Sequence, residues 1–308
     1  IKEDYIYNGL KSKFKNNIEA IKILRVLEKE NRNATEEEQT ILSKYTGWGG
    51  ISEAFNKRKT GWTDEYTELK NLLTDEEYRK ASESTLTSFY TPNNVIKTIW
   101  KIIEKMGFKN GNVLEPAMGI GNFYGNLPSN LENSKLYGIE LDSLSGRIAR
   151  KLYPNADIEV NGYEDTRYQD NFFDLAISNI PFGNIPIYDS KYKHTNFLIH
   201  DYYFQKTLDK VRAGGIIAFI TSTGTMDKND FRVRKYIAER ADLIGAFRLP
   251  NDTFKNIANT KASTDVIFLK KKDRLEIGAN PSWLNISYTE DNIPINNYYI
   301  EHPENLLG

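Results

Sequence analysis

The sequence predicts an α/β fold, a mostly parallel sheet of seven strands joined by crossover helices and preceded by a helical amino-terminal region. Beyond Thr91-Pro92, short apolar runs bounded by turn residues alternate with segments of helical spacing, the pattern of strand-helix-strand units. Before that point apolar residues recur at helical intervals only. At 308 residues, 39% hydrophobic and 27% charged, the chain can bury the core of one full domain plus additions.

Ile18, Ile21, Ile23, Leu24 and Leu27 set a first helix over residues 16–30, and Ala34-Thr35-Glu36-Glu37-Glu38 starts a second. Thr46-Gly47-Trp48-Gly49-Gly50 interrupts the helical pattern, since three glycines around a tryptophan do not sustain a regular helix. A packing corner is the better reading of it; a loop closing over a ligand is the other. Strands are expected at 112–115, 135–140, 157–160, 173–178, 216–221, 243–247 and 265–269. Helices are expected at 93–106, 122–127, 143–153, 196–211 and 230–239. A Pro- and Asn-containing loop without helical pattern separates the last two strands, so the final strand is expected to be antiparallel. The tail from 276 is rich in Asn, Pro and Tyr and reads as an irregular extension or a connection to another domain. The expected division is a helical region at 1–86, a catalytic domain at 87–275 and the extension at 276–308. Because the chain opens on Ile1 and stops at a glycine, it reads as a fragment or a processed piece.

No apolar stretch approaches the roughly 18 residues that span a bilayer, and no signal peptide is evident, so cytoplasmic placement is expected. Cysteine is absent, which excludes disulfides, cysteine zinc sites and thiol nucleophiles; no metal site is expected. Cytosine-C5 methylation, which needs a covalent thiolate, is thereby excluded, whereas methylation of an exocyclic amine needs no covalent catalyst. A net charge of -1 is unusual for a chain that grips nucleic acid alone, because phosphate neutralisation dominates such affinity. Any contact with DNA must therefore be local or supplied elsewhere. Lys228, Arg232, Arg234, Lys235 and Arg240, followed by Lys255, Lys261 and Lys270 to Lys272, suit a solvated helix face and a phosphate-contacting edge about equally.

The first strand leads into Glu115-Pro116-Ala117-Met118-Gly119-Ile120-Gly121, a Gly-rich turn that lets backbone approach a ligand. The next glycine is Gly125, a spacing unlike the dinucleotide fingerprint. A carboxylate at 115 would repel a pyrophosphate and welcome the ammonium of an amino-acid moiety. Glu140, about twenty residues on, sits where a carboxylate accepts ribose hydroxyls; its alternative is a helix N-cap, for which Asp142 is better placed. Glu164 or Asp165 suits an adenine amino group or a plain surface turn. Asn179-Ile180-Pro181-Phe182 ends the fourth strand. An amide oxygen and a backbone carbonyl can hold the hydrogens of a planar amino group, proline fixes the turn, and the aromatic ring offers a stacking surface.

With Ser88-Phe89-Tyr90-Thr91-Pro92 upstream, these motifs stand in the order and spacing of amino-group DNA methyltransferases of the gamma arrangement, which the chain resembles. His200-Asp201-Tyr202-Tyr203-Phe204, Gly214-Gly215, Arg248-Leu249-Pro250-Asn251 before Thr264-Asp265-Val266, Tyr45-Thr46-Gly47-Trp48-Gly49-Gly50 and Asn297-Tyr298-Tyr299-Ile300 extend the likeness. Together they resemble the methylase module of large helicase-methylase proteins of phages and conjugative elements. The resemblance implies a Rossmann-like, class I S-adenosylmethionine-dependent fold and transfer of a methyl group to N6 of a flipped adenine in double-stranded DNA. It implies a cofactor pocket of Tyr90, Thr91, Pro92, Glu115, Pro116, Gly119, Gly121, Glu140 and Glu164, and a catalytic Asn179, Ile180, Pro181 and Phe182. A covalently linked helicase or target-recognition region is the implied partner. The family usually has proline where this chain has Ile180, and the main-chain carbonyl is the group expected to act there. Methylation of guanine in ribosomal RNA or of a protein glutamine uses the same tetrapeptide, and a non-catalytic cofactor-binding scaffold is the third reading.

Overall fold

A computed structural model describes residues 9–86, 90–254 and 263–308. Ser88, Phe89, Lys255 and Lys261 lie outside the described residues. Strands β1 (Asn112–Glu115), β2 (Lys135–Ile139), β3 (Asp157–Glu159), β4 (Phe173–Asn179), β5 (Val211–Ser222), β6 (Ala241–Arg248) and β7 (Thr264–Lys271) form one sheet in the order β3-β2-β1-β4-β5-β7-β6. The strands from β3 to β5 pair in parallel, and β7 inserts antiparallel between β5 and β6. All seven expected strands are present, with the expected antiparallel last strand. Strand β5 begins at Val211, ahead of the expected 216. The Gly214-Gly215 pair, with Gly214 at φ 71°, bends the strand instead of ending it, and its pairing with β4 jumps from Phe173↔Val211 to Leu175↔Ile216.

Helix α5 (Asn93–Lys105) leads into β1, and α6 (Asn122–Gly125), α7 (Ser143–Leu152), α8 (Ile199–Lys210), α9 (Gly224–Asp227) and α10 (Arg232–Ala238) lie between successive strands. Alternate strand residues enter two cores. Leu114, Ala176, Ile217 and Phe219 pack toward α8 and α10, whereas Val113, Leu175, Ile177 and Ala218 pack toward α5. Asp142 caps α7 by accepting from the Ser145 amide at 2.8 Å.

The amino-terminal region holds α1 (Leu10–Lys29), α2 (Glu36–Leu42), α3 (Thr63–Leu72) and α4 (Asp75–Glu83). Thr35 and Glu38 close a capping box at α2. Ile18, Ile21, Leu24 and Leu27 share a core with Ile120, Leu144 and Ile148, so these helices pack onto α7 and the Gly-rich turn. Arg147 reinforces that junction through Glu28 and Glu77. Trp48 is buried against Phe14 and Phe55, while Asn17 and Lys13 donate to Gly47 O and Gly49 O, so the Gly-Trp segment is a packing corner.

The segment beyond 276, expected to be irregular, carries strands β8 (Ile286–Tyr288) and β9 (Pro294–Asn296) and helix α11 (Asn297–Glu301). Trp283, Leu284 and Tyr299 are buried in the main core. Asn296, wholly buried, donates to Met226 O and Trp283 O. No helix among the described residues is long and apolar enough to cross a membrane.

Candidate active site

The Gly-rich turn, the end of β2 and the end of β4 meet at the carboxyl ends of the parallel strands, where ligands bind open α/β sheets. Gly119 and Gly121 have φ of 56° and 86°. A side chain at Gly121 would strike the Tyr153 ring, 2.4 Å from its Cβ position. The Tyr153 hydroxyl donates to Gly121 O at 2.6 Å. Above Gly119 the nearest group is the Tyr90 ring, 3.6 Å from where a Cβ would sit, so the motif at 90–92 forms one wall of the turn. Pro116 leads the chain out of β1 into that turn.

Glu140 does more than the sequence alone suggests. One carboxylate oxygen accepts from the Gly119 amide at 2.6 Å and the other from the Asp142 amide at 2.7 Å. It therefore pins the turn after β1 to the end of β2, and the N-cap role falls to Asp142. Glu164 stands on the single helical turn Tyr163–Asp165 after β3, half-buried and folded back over Gly162, while Asp165 is exposed. Tyr203 on α8 packs on the Tyr163 ring and feels both acids. Burial first, then the charges of Glu140 and Glu164, push its hydroxyl well above the usual tyrosine range.

Asn179 closes β4, and its side-chain amide donates to Thr91 Oγ1 at 3.1 Å. That bond joins the tetrapeptide to the 90–92 motif across 88 residues. Ser178, one residue earlier, donates from Oγ to Ala117 O at 3.2 Å and holds the tetrapeptide against the Gly-rich turn. Ile180 is buried, and its amide donates to Ile220 O at 3.1 Å. Proline at that place has no amide hydrogen, so isoleucine extends the β4–β5 ladder by one residue, and that ladder holds the turn instead of a second ring. Pro181 and Phe182 are both half-buried at the mouth of the site.

Residues 72–284 match the family model described as N-6 DNA Methylase. The chain belongs to the N-6 DNA methylase family. Over 243 residues the chain is 26% identical to "Defense against restriction protein B" of Escherichia phage P1, an alignment covering 77% of the chain and 9% of that relative. The chain thus spans about a tenth of the phage protein's length. A structure from Listeria monocytogenes, described as a class I S-adenosylmethionine-dependent methyltransferase, is 18% identical with a TM-score of 0.53, covering 88% of this chain and 91% of that one. A type I restriction-modification system methyltransferase subunit from Streptococcus thermophilus is 15% identical with a TM-score of 0.50, covering 96% and 86%. These likenesses show the fold, that of class I S-adenosylmethionine-dependent methyltransferases; the family implies S-adenosylmethionine as the cofactor.

The electrostatics of the site fit such a ligand. Glu115 is buried, and one of its carboxylate oxygens has no hydrogen-bond partner. Burial, then the charge of Glu140, raises its pKa well above the carboxylate range. Glu140 keeps some exposed surface, yet its carboxyl is enclosed deeply enough that burial, then Asp142, pushes it up to about 7. Among the described residues no ion pair reaches either acid. Two uncompensated acids beside a glycine cradle suit a ligand bearing an ammonium and hydroxyl donors.

Sequence reading missed Ser178, Tyr153 and Tyr203, which fix the site from behind. Their partners lie 61, 32 and 40 residues away, and only the alternation that turns Ser178 and Asn179 to opposite faces of β4 hinted at one of them. The basic cluster divides: Lys235 and Lys270 are exposed, whereas its other described members make contacts within the chain. Lys228 pairs with Asp201, Arg232 with Asp230, buried Arg234 donates to Leu284 O, and Arg240 stacks on Tyr236.

Proposed function

We propose that this chain methylates the N6 amino group of an adenine flipped out of double-stranded DNA. The observation that carries the reading is the bond from Asn179 to Thr91, with Ser178 bonded to Ala117, because it sets the tetrapeptide beside the glycine cradle. Tyr90, Thr91, Pro92, Glu115, Pro116, Gly119, Gly121, Glu140 and Glu164 would hold S-adenosylmethionine, with Glu115 facing its ammonium and Glu140 its ribose hydroxyls. When bound, the cofactor supplies an electrophilic methyl group. Asn179 accepts one amino hydrogen of the adenine through its side-chain oxygen, and the Ile180 carbonyl accepts the other. Those two acceptors turn nitrogen lone-pair density toward the methyl donor, and in-line placement lowers the remaining barrier. An amide holds no proton, so the surplus amino proton passes to water once the nitrogen carries the methyl group. The net charge of -1 suits a module whose grip on DNA comes from further regions, a helicase or target-recognition region among them.

The test is transfer of labelled methyl to unmethylated duplex DNA with the product nucleosides resolved. N6-methyladenine is expected; label confined to RNA or protein acceptors, or bound cofactor with no transfer to any, would overturn the reading. Phe182→Ala should weaken productive binding of the base by about 1 to 3 kcal/mol through lost stacking. An unchanged dependence of rate on DNA concentration in that variant would remove Phe182 from the stacking role.

Protonation gives a second check. The free site holds Glu140 partly protonated up to about pH 7, whereas ribose hydroxyls and an ammonium favour ionised acids. Binding therefore releases protons, and cofactor affinity rises with pH up to about 7. Calorimetry in buffers of unlike ionisation enthalpy should show more proton release at about pH 6 than at about pH 8, and Glu140→Gln should remove that difference. A buffer-independent heat at both values contradicts the assignment.

A further inference from the structure

Helix α8 lies against the sheet with nearly all its residues buried, yet its centre carries Lys206, only 2% exposed. Burying an ammonium costs several kcal/mol unless every donor is matched, and a methionine would fill the same space without that cost. The ammonium is matched by two separate segments. It donates to Tyr163 O at 2.6 Å and Glu164 O at 3.3 Å on the turn after β3, and to Asp189 Oδ2 at 3.0 Å on the excursion that follows the tetrapeptide. Asp189 is itself held by the Tyr202 hydroxyl at 2.8 Å and by the Lys191 amide at 3.0 Å. Two further bonds moor the same excursion to α8, Tyr192 to Asp209 at 2.8 Å and Thr195 to Gln205 at 3.1 Å.

One buried charge thus bridges the turn that carries Glu164 and the segment that leaves Phe182. We propose that Lys206 is a positioning residue that couples occupancy of the cofactor pocket to the ordering of the acceptor-side segment, residues 187–197, through Asp189. The inference rests on the assignment of Glu164 to the cofactor pocket. A ligand that engages Glu164 fixes the turn whose carbonyls take two of the Lys206 hydrogen bonds. The ammonium then holds Asp189, and with it the acceptor-side segment, in one place. Coupling of this kind is reciprocal, so a base seated on the acceptor side tightens the cofactor by the same factor.

Hydrogen exchange followed by mass spectrometry, on the chain with and without S-adenosylhomocysteine, tests this without relying on turnover. In the parent chain the ligand should slow exchange both at 115–121 and at 187–197, the latter by about fivefold or more. Lys206→Met and Asp189→Asn should each keep the response at 115–121 and lose that at 187–197. The asparagine variant neutralises Asp189 yet keeps an amide oxygen for the Lys206 ammonium and empties no volume, so it covers the case in which the methionine variant fails to fold. A response at 115–121 with none at 187–197 in the parent chain overturns the coupling alone, as does an undiminished response at 187–197 in both variants. Absence of any response in the parent chain overturns the cofactor reading and the coupling with it.

Discussion

Asn179→Ala is expected to lower methyl transfer at least about a hundredfold while leaving cofactor affinity near that of the parent chain. The two halves of that result come from different parts of the site. Glu115, Glu140 and the glycines at 119 and 121 are held by bonds that do not involve Asn179, namely Gly119 and Asp142 amides to Glu140 and Tyr153 to Gly121. The cofactor pocket should therefore largely survive loss of the amide, Thr91 being the one pocket residue that loses a bond to it. Adenine binds partly by stacking, so its affinity should fall less than its rate. What disappears is an acceptor that matters most when the amino nitrogen turns tetrahedral, and an interaction made mainly in the transition state appears in kcat. Asn179→Asp keeps an acceptor oxygen and should retain more transfer than the alanine variant. Equal turnover of the parent chain and Asn179→Ala would remove the tetrapeptide from the chemistry.

The sheet was legible because most of its strands contain a short apolar run, and several enter two cores by alternation, as Val113 and Leu114 do from adjacent positions. The start of β5 was not, because Gly214-Gly215 carries a turn signal that the structure uses for a bend within the strand. Strands β8 and β9, three residues each, are too short to show a period. Their place is set by Asn296 and Arg234, whose partners no local pattern predicts. Within the site, residue types were readable and supports were not. Glu140 could be read as a carboxylate at a strand end, but its bond to the Gly119 amide needs the crossover to be folded. Judged by its side chain alone, Ile180 in place of proline loosens the tetrapeptide; its amide bond to Ile220 supplies rigidity from the backbone instead. Lys206 falls in the helix expected at 196–211, and only the fold shows both segments that it holds.

Arg248→Ala should destabilise the chain by about 3 to 5 kcal/mol, the usual consequence of leaving a buried charge without its partner. Arg248 ends β6 and makes two bonds to Asp265, at 2.9 and 3.0 Å, with a third contact to Asp227 at 2.7 Å. Its guanidinium also lies 4.5 Å from the Tyr299 ring centre, so one side chain joins β6, β7, α9 and the carboxy-terminal segment. Burial already holds the Asp265 and Asp227 pKa values above normal with the arginine present. Without it both acids take up protons more readily, and the folded form of the variant binds protons that its unfolded form releases. The loss should therefore be greatest near neutral pH and shrink toward about pH 4, where the stranded acids are neutral in the folded form and increasingly so in the unfolded one. Urea denaturation of parent and variant at the two pH values measures this directly, and a deficit below about 1 kcal/mol at neutral pH would show that the pair is surface-like in energy. Replacing Arg248 and Asp265 together by apolar residues, as in Arg248→Met with Asp265→Leu, should recover part of the loss, because it removes one of the two stranded acids and leaves only Asp227 without its partner. Protease sensitivity of residues 276–308 should rise in the single variant and fall back in the double one. That pattern would mean the segment is held by this charge network and the core beneath it, not by a simple tether to β7.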